Sequence, residues 1–118
     1  MVKSSDEFDH ERLQVYQKAA LFAGNADRIA KKLRRRRRDL ADQLERASSS
    51  ILLNIAEGAG EYSRPEKKRF FRMAKRSGAE CAGILDLSHR IGCITPKVYS
   101  VNRELLLEII RMLVALCR

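Results

Sequence analysis

Apolar residues recur at spacings of three and four along nearly the whole chain, and strand-type alternation is rare. Val15, Ala19, Phe22, Ala26, Ile29 and Leu33 form one stripe, which predicts a first helix from about Glu11 to Leu33. Gly24-Asn25 weakens its middle and offers a place to bend. Leu40, Leu44, Ala47, Ile51, Ile55 and Gly58 predict a second helix from about Asp39 to Ala59. Its segment Ile51 to Ala56 is apolar on nearly every side, so it is expected to be surrounded by protein. Gly58-Ala59-Gly60 is a stop signal.

Ser63-Arg64-Pro65-Glu66 is the clearest local signal. Ser63 can cap free backbone N–H groups, Glu66 can reach back, and Pro65 lacks the N–H that would be orphaned. A third helix follows from about Arg64 to Arg90, with the stripe Phe70, Ala74, Ser77, Cys81, Ile84/Leu85 and Ser88, and Gly92 as its stop. Thr95-Pro96 opens a fourth helix that runs to the end. Its apolar face includes Val101, Leu105, Leu106, Ile109, Ile110, Met112, Leu113, Leu116 and Cys117. That face is too broad for one seam and predicts a further partner, most simply another copy of the chain. Four helices with short connections predict an all-α, up-down-up-down bundle that self-associates. Residues 11–118 form this domain, after a flexible acidic segment over residues 1–10.

Composition agrees with one ordinary domain: 118 residues, 45% hydrophobic. Charge changes the picture. The formal net charge is +9, and it is clustered. Arg28, Lys31, Lys32, Arg34, Arg35, Arg36, Arg37 and Arg38 place eight cations within eleven residues that hold no anion. Such a block repels itself unless an anion offsets it, and a polyphosphate backbone is the commonest such partner. A second cluster opens the third helix, where Lys68, Arg72, Lys75 and Arg76 share a face. Basic charge at a helix start opposes the macrodipole, so helix stability does not account for it. Both groups read as contacts to RNA or DNA phosphates. The plainer alternative is a solvated helix face. Aromatic residues are few among the cations, which argues against base stacking and sequence-specific readout.

Ser50, Asn54 and Glu57 line one side of the second helix, and Ser77 and Glu80 one side of the third. Antiparallel neighbours would bring these rows together, as a buried hydrogen-bond network that fixes register or, less simply, as a ligand site. No histidine is there to act as a base. Asp86-x-x-His89 is only an imperfect half of a bundle metal site. No phosphate-loop or metalloprotease motif occurs. The expectation is a protein with no enzymatic activity, metal or cofactor. Three cysteines without C-x-x-C spacing, a polar start and no long apolar run predict a reduced, cytoplasmic protein that does not enter a membrane.

The run Gln43-Leu44-Glu45-Arg46-Ala47-Ser48-Ser49-Ser50-Ile51, continuing Leu53-Asn54-Ile55-Ala56-Glu57-Gly58, resembles the core motif of a bacterial family. Its members are small four-helix-bundle proteins encoded in intervening sequences of large-subunit ribosomal RNA genes. Further matches include Val15-Tyr16-Gln17, Ser63, Glu66, Arg69-Phe70, Ser77, Glu80-Cys81, Gly92, Tyr99 and Met112-Leu113. The family is similar in fold to the accessory variability determinant proteins of diversity-generating retroelements. That likeness implies a basic homopentamer, RNA or DNA binding, and a reverse transcriptase or other protein as a partner. A protein-interaction scaffold is the alternative function. The resemblance carries no catalytic residues. The family commonly has Leu-Pro between its first two helices, where this chain has Leu33-Arg34.

Overall fold

A computed structural model describes residues 7–118. Four helices follow a 3-10 turn at Asp9–Arg12: α1 Gln14–Leu33, α2 Arg38–Ala59, α3 Arg64–Arg90 and α4 Pro96–Leu116. There are no strands among the described residues. Each helix packs on its neighbours in sequence, and α4 closes against α1, giving a bundle 49 Å long. Of the acidic segment, residues 1–6 lie outside the described residues. Asp9 and His10 belong to the 3-10 turn, which packs on α1 and α2. His10 lies between Phe8 and Tyr16, with ring centroids 5.7 and 4.5 Å away.

Local signals set the helix ends. The Ser63 hydroxyl accepts from the Glu66 N–H at 3.1 Å, and Thr95 accepts from the Val98 N–H at 3.1 Å. The Glu66 carboxylate does not complete a capping box; it lies 3.3 Å from Arg69 Nε. α3 ends in a Schellman motif: Gly92 takes φ +75°, Cys93 N–H donates to the Ser88 carbonyl at 2.8 Å, and Gly92 N–H to that of His89 at 3.0 Å. α1 runs unbroken through Gly24-Asn25.

The expected stripes of α1 and α2 are buried in full. On α3 two positions are corrected. Phe71 and Gly78 face the core, whereas Phe70 and Ser77 are half-buried. The cause is close helix contact. A Cβ on Gly58 would stand 2.8 Å from the Phe71 ring, so the bare backbone of α2 admits that ring to the seam. Within one subunit Leu53 is the exception in the apolar second half of α2, with 59% of its surface exposed. On α4 the core takes Leu105, Leu106, Ile109 and Leu113, leaving Val101, Val114 and Leu116 outward.

Candidate nucleic-acid interface

The arginine run is a tight turn between two buried leucines. Leu33 closes α1 and Leu40 opens the core face of α2, so both sides of the turn are pinned. The Leu33 carbonyl accepts from the N–H groups of Arg36 and Arg37 at 3.0 and 2.7 Å. With the backbone fixed this way, the five arginines divide into two groups.

Arg34 folds back onto α2, where its two terminal nitrogens meet Asp42 Oδ1 at 2.6 Å and Glu45 Oε1 at 2.7 Å. Arg37 forks onto Asp39, with Nε donating to Oδ1 at 3.0 Å and a terminal nitrogen to Oδ2 at 2.9 Å. The hydrogen bond from Arg37 holds the Asp39 carboxyl below the ordinary carboxylate range. Bonds to the same carboxylates raise the guanidinium pKa of Arg34, chiefly through Asp42, and of Arg37 through Asp39. These two arginines are therefore charge-compensated within the chain. Arg35, Arg36 and Arg38 are exposed and have no ion pair among the described residues.

α1 adds to the same end. Lys31 and Lys32 occupy its last turn, where they oppose the negative end of the helix dipole. Lys31 lies 3.6 Å from Asp27, and Lys32 has no ion pair among the described residues. Arg28 donates to the Asn25 amide oxygen at 2.6 Å.

The α3 cluster does not join this patch within one subunit. The α2–α3 connection lies at the opposite end of the bundle, so α3 begins far from the arginine turn and ends near it. Arg76 precedes Arg90 by about 21 Å of helix at 1.5 Å per residue. Arg72 and Arg76 are exposed, Lys68 and Lys75 half-buried, and none has an ion pair among the described residues. Nearby cations have local duties. Lys67 reaches the Gly58 and Ala59 carbonyls at 3.4 and 3.0 Å, Arg64 the Arg118 carbonyl at 3.0 Å, and Arg69 lies 5.0 Å over the Phe70 ring.

The polar rows of α2 and α3 meet in part. Ser77 Oγ donates to Ser50 Oγ at 2.8 Å, and the Asn54 amide donates to Ser50 Oγ at 3.0 Å and to the Ser50 carbonyl at 2.8 Å. They line a recess of about 430 Å³ with Met73, Arg76 and Glu80. Glu80 is no buried member of this network; it is exposed and pairs with Arg46 at 2.6 Å. Glu57 is exposed and makes no bond to these residues. The Ser50–Ser77 hydrogen bond ties α2 to α3, and Asn54 braces Ser50 from its own helix. His89 stacks on Tyr99 at 4.5 Å, and Asp86 pairs with Arg90 at 3.1 Å. Among the described residues, no three of His, Cys, Asp and Glu gather as a metal site, and no helix is long and apolar enough to cross a membrane.

A groove beside the arginine turn was not foreseen. It holds about 600 Å³ between the second half of α1, the α3–α4 connection and the start of α4. Ile29, Ile94, Val98 and Val101 supply its apolar lining. Arg28, Lys31, Lys32 and Lys97 supply cations. Asn25 and Asn102, hydrogen-bonded across the helices at 3.0 Å, also line it. One signal was available: Asn102 lies in register with the apolar stripe Leu105, Leu106, Ile109 and Leu113, and a polar residue in such a stripe needs a partner.

The fold is similar to the crystal structure of a protein of unknown function from the S23 ribosomal protein family of Bacteroides thetaiotaomicron. That similarity has 24% identity, covers 88% of this chain and 98% of that one, and gives a TM-score of 0.83. No curated protein matches the chain. The sequence pattern of one family extends over residues 11–115, nearly the whole bundle, and by that match the chain belongs to the 23S rRNA-intervening sequence protein family.

Proposed function

We propose that this protein is a non-catalytic, self-associating nucleic-acid-binding protein that engages RNA or DNA phosphates with little base specificity. The observation carrying the reading is the cluster of uncompensated cations at one end of the bundle: Lys32, Arg35, Arg36 and Arg38. Fixed positive charge without an anion raises the energy of the folded chain, and phosphates offset it with release of condensed counterions. The α3 cations Lys68, Arg72, Lys75 and Arg76 form a second contact. A single subunit keeps the two patches apart, and a ring of subunits repeats each of them around its axis, so that weak contacts act together. Self-association is supported by Leu21, Leu53 and Tyr62, each more than half exposed. The name of the family, tied to ribosomal RNA genes, favours RNA as the polyanion.

The test is binding measured against salt. Log affinity should fall with log salt by about 0.7 per phosphate on single strands. Changing Arg35, Arg36 and Arg38 together to Ser should lower that slope by about 2. Changing Arg34 and Arg37 to Ser should lower it less per residue, because carboxylates already compensate both. Equal slopes in the triple variant and the parent would refute the assignment. Sedimentation at micromolar concentration checks the assembly, for which a monomer is the contrary result.

A further inference from the structure

Phosphate binding alone leaves the groove between α1 and α4 without a role. It adjoins the uncompensated cations, and its volume of about 600 Å³ lies in the range of small-molecule sites. We propose that this groove takes an unpaired nucleobase of a bound strand, so that the protein favours single-stranded over duplex nucleic acid. The inference rests on the nucleic-acid reading above and specifies which form is bound.

The lining matches the parts of a nucleotide. A base has two apolar faces and a polar edge. Val98 and Val101 offer an aliphatic wall to one face. The other face meets Arg28, whose guanidinium is planar and is held in place by the Asn25 oxygen at 2.6 Å. Guanidinium planes stack on splayed bases. The edge meets Asn25 and Asn102. Their mutual hydrogen bond, and the bond from Asn102 to the Val98 carbonyl at 2.9 Å, use one N–H of each amide. Each amide retains a second N–H and acceptor capacity. Lys32 and Lys97 lie on α1 and α4, the two helices that form the groove, and meet the phosphates that flank the base. A duplex keeps its bases stacked and paired, so it can fill this groove only by flipping one out, at a cost of roughly a few kcal/mol. A single strand avoids most of that cost.

An acidic amphipathic peptide would share the charge complementarity. Nucleic acid is favoured because the cations continue from the groove at Lys31 and Lys32 into the exposed arginines of the turn.

The experiment compares three probes of equal length on the full chain by fluorescence anisotropy at one salt concentration: a single strand, the same strand with abasic units in place of nucleotides, and a duplex. The single and abasic strands carry the same phosphate charge. The intact strand should bind about threefold or more tighter than the abasic one, the scale of a guanidinium over an aromatic face at an exposed site. Val101→Gln keeps the net charge and alters a residue that is 53% exposed, so the fold should persist, with circular dichroism as the check. It should bring the ratio close to one. Equal affinity for intact and abasic strands in the parent would overturn the base site and leave the phosphate reading standing. A ratio unchanged by Val101→Gln would move the base elsewhere and overturn the groove. Binding of none of the three would overturn the nucleic-acid reading and this inference with it. A Leu/Glu amphipathic peptide that binds the parent but not Val101→Gln, without a base effect, would assign the groove to a protein partner.

Discussion

Three of the four glycines within helices, Gly58, Gly78 and Gly83, allow one substitution, Gly→Ala, to be tested in three packing environments. A methyl group on Gly58 would lie 2.8 and 3.0 Å from two ring carbons of Phe71 and 3.1 Å from Phe70 Cβ. Carbon pairs prefer roughly 3.5–4.0 Å, so all three contacts are repulsive. Phe71 is only 4% exposed, so its ring cannot swing out to solvent without giving up that burial. Overpacking of this kind costs about 1–3 kcal/mol. Against it stands the helical preference for Ala over Gly, worth about 1 kcal/mol and less in a last turn. Gly83→Ala gives the reference, because nothing lies within 4 Å of its added methyl. Gly83→Ala should therefore raise stability by about 0.5–1 kcal/mol. Gly58→Ala should lower it by about 1 kcal/mol. Gly78→Ala falls between them, since its methyl would meet only the half-buried Ile110 side chain, at 3.3 and 3.4 Å. Urea unfolding at one protein concentration measures all three, with unchanged m-values as the condition for comparison. If Gly58→Ala were as stable as Gly83→Ala, the close approach of α2 to Phe71 would be refuted.

Two further outcomes are expected from solution chemistry. Burial pushes the Cys81 thiol up to about 12, so near pH 8 it is protonated and shielded, while Cys93 and Cys117 are half-buried. A disulfide reagent should modify two thiols quickly and the third only on unfolding; simultaneous reaction of all three would contradict the burial of Cys81. The Asp39 carboxyl, lowered by Arg37, contributes stability that is present above its unfolded pKa and is lost as pH falls through the folded value. In an NMR titration that folded value should lie below the usual carboxylate range and rise in Arg37→Ser, and an unchanged Asp39 would show that the pair does not form in solution.

Much of the bundle was legible because helix periodicity and end signals are local. The stripes of α1 and α2, the caps at Ser63 and Thr95 and the stop at Gly92 all follow from residues within a few positions of one another. The α3 stripe missed by one position at Phe70 and Ser77, because two aromatics in succession and a Ser-Gly pair leave the angle undetermined by roughly one residue's turn of the helix. Gly58, on another helix, settles it. The polar rows were legible as rows. That Ser50, Asn54 and Ser77 meet while Glu57 does not depends on the crossing of α2 and α3.

The arginine block shows the same division. Its existence, its sign and its place between two helices are properties of the chain alone, as are the class of the fold and the number of helices, since all of these rest on short-range pattern and composition. Which arginines remain uncompensated was decided only in three dimensions. Asp42 and Glu45 lie eight and eleven residues from Arg34 and reach it because α2 turns back beside α1. The groove, too, is a product of the tertiary fold, lined by α1 and α4, whose Asn25 and Asn102, 77 residues apart, come within hydrogen-bonding distance. Periodicity is encoded one helix at a time, whereas charge compensation and concavity arise between helices, where distance along the chain no longer measures distance in space.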